Sequence, residues 1–290
     1  MAKRLPRPRT LKGDPKIAYY DSGGGVAGEA PIVLLHGVTN GALDWENIFP
    51  RLATRYRVIA YDARGHGRSG RAAEYSLDGL VADALRVLRE IARAPAIVVG
   101  HSLGGATALV AAAREPAAVK AVVLEDPWLA HYRDGWRADY FAALHAAIAL
   151  AAGDPAAFRK ALARIALPEP GPRGERTLGE VRGFYALERM SAIYGAVDPA
   201  LVALLGTADP EGSRAIDDAV ASVRAPLLLL ASDPKNTALK EGEAERIIAA
   251  APDRTLVRFP GLGHRIHGVR PEPFLEALEP FLRRTRASRR

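Results

Sequence analysis

The sequence contains no cysteine. Disulfides, a thiol nucleophile and cysteine-ligated metals are therefore excluded, while the redox compartment stays open. Long apolar runs are also missing, and the basic, proline-rich residues 1–12 have no apolar signal-like stretch behind them, so the expected protein is soluble and cytoplasmic, with no membrane partner. No His-x-x-x-His pair lies on a predicted helix, and the glycine-rich loop at 62–70 lacks the Gly-Lys-Ser/Thr ending of a phosphate-binding loop. Neither a metal site nor nucleotide binding is supported, and no cofactor is implied. Acids are absent from both ends. Of the net +7, five cations fall in residues 1–12 and five in residues 283–290, which leaves residues 13–282 at −3. A basic surface for nucleic acid is not expected from solvated tails without interleaved aromatics.

What is present is a globular composition. With 290 residues and 49% hydrophobic content, the chain can build one large α/β domain with an insertion, or two small domains. Its most informative stretch is Val98-Val99-Gly100-His101-Ser102-Leu103-Gly104-Gly105. The apolar, β-branched residues 97–99 suit a strand buried on both faces, and residues 106–114 are good helix formers, so Ser102 falls at the junction. Gly100 and Gly104 give the spacing G-x-S-x-G, which permits a turn sharp enough to present the hydroxyl. A helix entry aims free N–H groups and a positive dipole end at that serine, as acyl transfer requires of an oxyanion site. The same five residues also suit a plain strand-to-helix turn with the serine as N-cap, and the rest of the chain has to decide.

Along the chain, residues 17–20 read as an early antiparallel strand and 31–35 as a buried strand ending in His36-Gly37; 43–52 follow as an amphipathic helix carrying Trp45 and Phe49. A short strand at 57–61 leads into Asp62-Ala63-Arg64-Gly65-His66-Gly67-Arg68-Ser69-Gly70, and 77–91 has the apolar spacing of one long helix. After a strand at 119–125 the alternation stops. Residues 128–212 are helical segments, among them 140–152 and 156–165, punctuated by prolines at 168–172. Alternation resumes with strands at 226–231 and 255–259 and helices at 241–251 and 272–283.

This order resembles the α/β-hydrolase fold, through His36-Gly37, the 62–69 loop, Gly100-His101-Ser102-Leu103-Gly104 and Gly261-Leu262-Gly263-His264, each after a strand. The resemblance implies a mostly parallel eight-stranded sheet with helices on both faces, formed by residues 1–127 and 213–290, and a helical lid over 128–212. It implies Ser102 as nucleophile and His264 as base, with the N–H groups of Val38 and Leu103 as oxyanion hole. His267 is the competing base. His36, His66 and His101 are expected to brace turns by hydrogen bonds. For the acid, the fold offers Asp126, ending the sixth strand, or Asp233 in Ala231-Ser232-Asp233-Pro234-Lys235-Asn236. Asp126 is preferred, because Asp233 comes early for the common plan and this loop looks more like that of haloalkane dehalogenases and resorcylic-acid lactonases. Glu125 should point to the other side of its strand.

A serine at this place argues for acyl chemistry: hydrolysis of a carboxylic ester or lactone, with a small molecule as partner. Carbon–carbon hydrolysis or cofactor-free perhydrolysis would keep the same residues, and a ligand-binding receptor on a hydrolase scaffold is the reading outside enzymes. Trp128, Tyr132 and Trp136 either line an acyl or aromatic pocket or pack the lid. Substrate identity and oligomeric state are not legible.

Overall fold

The apolar runs become strands of a single sheet. In the computed structural model, which describes residues 5–129, 138–167, 176–204, 209–235, 237–250 and 253–287, these are β1 (Arg9–Leu11), β2 (Ile17–Asp21), β3 (Ile32–Leu35), β4 (Val58–Tyr61), β5 (Ala96–His101), β6 (Val119–Glu125), β7 (Leu227–Ala231) and β8 (Arg254–Arg258). Their spatial order is β1-β2-β4-β3-β5-β6-β7-β8. β1 and β2 are antiparallel to each other, as are β2 and β4, and every pair from β4 to β8 is parallel. Every residue of β3, β4, β5 and β7 is buried, as strands covered on both faces must be.

The described helices are α1 (Phe49–Leu52), α2 (Leu77–Arg86), α3 (Leu103–Arg114), α4 (Ala138–Ala149), α5 (Pro155–Arg164), α6 (Leu178–Tyr194), α7 (Pro199–Leu204), α8 (Pro210–Ser222), α9 (Glu243–Ala249), α10 (Ile266–Val269) and α11 (Pro271–Ala287). One apolar cluster packs α2, α3, α8 and α9 on one face of the sheet. The other face is covered by Trp45, Ile48 and Phe49 together with Phe274, Leu278 and Phe281 of α11. No helix among the described residues is long and apolar enough to cross a membrane.

Three local expectations are corrected. The 43–52 segment is not one helix but a 3₁₀ turn, Ala42–Asn47, followed by α1. Pro50 cannot supply the N–H that a continuous helix needs, and it is accommodated only because the helix restarts just before it. The 77–91 helix closes as α up to Arg86 and then as a wider π turn, Val87–Ala92, which keeps Val87, Leu88 and Ala92 buried and ends on Arg93 at φ 57°. β1 is the third: a three-residue edge strand inside the basic, proline-rich start is too short to show alternation.

The helices between β6 and β7 divide into two groups. Residues of α4 to α7 form a cluster of their own with Tyr75, Leu80, Leu103 and Trp128, whereas Ile216, Ala219 and Val220 of α8 belong to the main core. Residue 212, the boundary expected from sequence, falls inside the first turn of α8. Asp198 fastens the inserted helices to the core: it accepts from the Tyr75 hydroxyl at 2.7 Å, and its own N–H donates to the Gly65 carbonyl at 2.7 Å.

A buried ion pair holds the glycine-rich loop after β4. Asp83 is fully buried and accepts from Arg64 Nε at 2.7 Å and from a terminal nitrogen of the same guanidinium at 2.9 Å. Truncating it strands a largely buried cation, so Asp83→Ala is expected to cost about 3–5 kcal/mol in urea unfolding. A loss under 1 kcal/mol would mean that the loop rearranges to hydrate Arg64.

Candidate active site

The turn after β5 is strained by design of its sequence. Ser102 sits at φ 53°, ψ −118°, a region costing a residue with a side chain on the order of 1–3 kcal/mol. The glycines on either side make the turn possible: a methyl at Gly100 would lie 2.2 Å from the Gly104 carbonyl oxygen, and one at Gly104 would lie 2.3 Å from that of Leu35. The Ser102 N–H donates to the Glu125 carbonyl at 3.0 Å, and its carbonyl accepts from the N–H groups of Gly105, Ala106 and Trp128. Leu103 is the first residue of α3, so its N–H is one that a helix leaves without an internal acceptor.

The loop after β3 closes on this turn. Gly37 approaches so near that a methyl there would meet His101 Nδ1 at 2.8 Å and Ser102 Cβ at 3.1 Å, so the loop that continues into Val38 is packed against the serine turn. Histidines brace the approach, as expected. His36 donates through Nδ1 to the Gly37 carbonyl at 2.7 Å and accepts the Ala63 N–H at Nε2, 3.0 Å. His66 Nε2 accepts the Thr39 N–H at 3.3 Å, and Nδ1 donates to the Arg64 carbonyl at 3.0 Å. Burial pushes both imidazoles toward the neutral form, His66 to about 3, as an accepting ring nitrogen requires. Asp62 is a brace that the sequence did not single out: Oδ1 accepts from Ala42 N at 2.7 Å and Oδ2 from Arg68 N at 3.0 Å, tying two loops together.

His264 reaches the serine turn from the loop after β8. His101 pins it there, since a carbonyl can only accept and His101 Nε2 therefore donates to the His264 main-chain oxygen at 3.0 Å. The two rings are 4.6 Å apart between centroids. His264 Nδ1 donates to Asp126 Oδ2 at 2.5 Å, which fixes the tautomer with a lone pair on Nε2. Asp126 is completely buried at φ 41° and accepts three further hydrogen bonds, from Ala238 N (2.8 Å), the Thr237 hydroxyl (2.6 Å) and Ser232 N (3.3 Å). Burial alone would raise its carboxyl, but the hydrogen bonds from His264, Thr237 and Ala238 outweigh it and hold it below the ordinary carboxylate range.

The other candidates are engaged elsewhere. Asp233 accepts from the N–H of Gly261 at 2.8 Å and of Lys235 at 3.0 Å, and its own N–H donates to Leu262, so it holds the main chain of the histidine loop and not the imidazole. His267 has no exposure; Nδ1 lies 2.5 Å from Glu125 Oε2 and Nε2 lies 3.5 Å from Asp44 Oδ2. Glu125 and Asp126 hold different partners, although Asp126 lies just beyond β6 at φ 41° where strand alternation no longer applies, and the sequence carried no sign that Glu125 would meet His267. Trp128 is buried and stacked on Phe141 of α4, ring centroids 5.3 Å apart, in the cluster against which Val38 packs. Tyr132 and Trp136 lie outside the described residues.

Known proteins share this fold. Residues 30–271 match the alpha/beta hydrolase fold family. The 2-(acetamidomethylene)succinate hydrolase of Mesorhizobium japonicum is 28% identical over 270 residues, covering 88% of this chain and 89% of that protein. Est816, an N-acyl homoserine lactone degrading enzyme, superposes with a TM-score of 0.66 at 26% identity over 94% of this chain and all of the other. A hydrolase from Pseudomonas aeruginosa has the same fold, with a TM-score of 0.71 at 24% identity over 95% and 98%. Sheet order, the serine between β5 and α3 and the length of the match agree that this chain belongs to the α/β-hydrolase fold family, and the activity the comparisons support is hydrolysis.

Proposed function

We propose that this chain is a serine hydrolase that cleaves a carboxylic ester or lactone through an acyl-enzyme. Ser102 Oγ attacks the carbonyl carbon and gives its proton to His264 Nε2; the oxyanion is met by the N–H groups of Val38 and Leu103. His264 then returns the proton to the leaving alkoxide, and water, deprotonated by the same imidazole, releases the acid. Asp126 orients His264 and stabilises its cationic form. The observation carrying this reading is the 2.5 Å contact between His264 and a buried carboxylate, in a loop that His101 holds against the Ser102 turn. Helices α4 to α7 act as a lid, packed through their own apolar cluster onto Leu103 and Trp128.

A second reading keeps the residues and moves the bond. The Mesorhizobium japonicum relative acts on a substrate bearing an acetamido group, so cleavage of an acylated nitrogen is the alternative to an ester. Intact-mass and peptide mapping after a fluorophosphonate should find one adduct, on Ser102; labelling elsewhere removes the nucleophile assignment. A panel of p-nitrophenyl butyrate, an N-acyl homoserine lactone and an N-acetyl enamine then separates the two readings by relative kcat/KM. No turnover of any, with no adduct, would favour a binding protein on this scaffold.

A further inference from the structure

The tip of β6 grips the histidine loop at two points. Asp126 holds the imidazole of His264, and the preceding residue, Glu125, accepts the His267 main-chain N–H at Oε1 (2.8 Å) and its ring Nδ1 at Oε2 (2.5 Å). Glu125 ends β6 and Asp126 follows it at φ 41°, and between them this dipeptide holds two histidines three residues apart. The far nitrogen of His267 faces Asp44 in the 3₁₀ turn at 3.5 Å, and the ring lies on Trp45 with centroids 4.1 Å apart and planes 27° from parallel. All three side chains, Glu125, His267 and Asp44, are essentially without exposure.

We propose that His267 is a positioning residue: by its two-sided hold on Glu125 and Asp44 it clamps the loop that presents His264 to the Ser102 turn. The inference rests on the serine-hydrolase reading above. Asp126 and His101 hold the loop at His264 and Asp233 holds it at 261–262; Glu125, braced from behind by the 3₁₀ turn, adds an anchor on the far side of His264, so that the loop is fixed on both sides of the imidazole. Pre-organisation of this kind sets kcat more than KM, because His267 is buried behind the site and touches no substrate.

The groups facing His267 set its charge. They are Glu125 from β6, Asp44 from the 3₁₀ turn, and His101 at the end of β5, whose ring is 5.3 Å away; Phe274 of α11 supplies an apolar edge. Arg265 on the same loop turns its Nε to Asp44 Oδ1 at 2.5 Å and shares that carboxylate. Burial would drive the imidazolium toward neutrality, but the charges of Glu125 and Asp44 outweigh it and raise the His267 pKa to about 9, while burial keeps His101 neutral. When His267 loses its proton, Nε2 turns a lone pair on Asp44 and one side of the clamp is lost. Since the folded value exceeds the unfolded one of about 6.5, the clamp contributes fully below about pH 6.5 and its contribution disappears as pH rises through about 9.

The test is a pH profile of kcat and KM for p-nitrophenyl butyrate, with the rate of fluorophosphonate labelling followed in parallel. Wild type should lose kcat above about pH 9 at nearly constant KM. His267→Gln should lower the plateau of kcat and of labelling on the order of tenfold to a hundredfold, leave KM within about threefold, and abolish the alkaline fall. Glu125→Gln removes one charge without changing shape and should move that fall to lower pH, which a merely structural role would not do; it carries the test if His267→Gln does not fold. A folded His267→Gln with the wild-type plateau, or an alkaline limb that stays in place in Glu125→Gln, overturns the clamp. Failure of the underlying reading looks different: Ser102→Ala would then keep its activity whatever His267 does.

Discussion

Ser102→Ala is expected to lower kcat on the order of 10⁶-fold and to abolish fluorophosphonate labelling, while the protein unfolds near the wild-type temperature. The magnitude follows from how nucleophile, base and acid act as a unit: in a serine protease, loss of the nucleophile alone costs about as much as loss of all three groups. About 8 kcal/mol of barrier is at stake, which no loop adjustment replaces. Stability should be nearly untouched, because alanine takes the same strained φ of 53° and the turn is held by main-chain bonds to Glu125 and Trp128. His264→Ala added to Ser102→Ala should then cost almost nothing further, since the second group has no partner left to serve. Circular dichroism and steady-state kinetics on the two single variants and the double variant check this; a double variant far slower than Ser102→Ala would mean that His264 works independently of the serine.

The parts of this site that were legible in the sequence are those built from neighbours in the chain. Gly100 and Gly104 dictate the turn around Ser102, because the close approaches of about 2 Å that they relieve involve backbone within a few residues or at the next strand end. The central strands were legible for a related reason: burial on both faces leaves a continuous apolar run with little else it can form. Helix details were less so, since Pro50 and the π turn at 87–92 break a hydrophobic period that remains correct on average. Least legible were contacts across the chain. Glu125 and His267 meet over 142 residues, and nothing in the local pattern of either announces a partner. The choice between Asp126 and Asp233 was of this type as well: both end or follow a strand beside the same loop, and only tertiary geometry separates holding an imidazole from holding a main chain.

That choice gives the second large effect. Asp126→Asn should lower kcat on the order of 10⁴-fold, as the equivalent change does in a serine protease, with secondary structure retained. Two causes act together. The amide no longer stabilises the imidazolium that forms when Ser102 gives up its proton, and it can present its NH₂ to His264 Nδ1, favouring the tautomer whose Nε2 carries a proton and cannot act as base. Some folding stability is lost too, because the carboxylate accepts from Ala238, Thr237 and Ser232 as well as His264. Its depressed pKa means that this contribution is present above the unfolded value of about 3.9 and is lost as pH falls through the folded one. Asp233→Asn should behave otherwise: its oxygen can still accept from Gly261 N–H, the loop shifts little, and kcat should fall by about tenfold at most. Steady-state kinetics of both variants at neutral pH decides. If Asp233→Asn suffers the large loss and Asp126→Asn stays near wild type, the imidazole takes its partner from the β7 loop during turnover, and the 2.5 Å contact to Asp126 belongs to a resting arrangement that the reaction leaves behind.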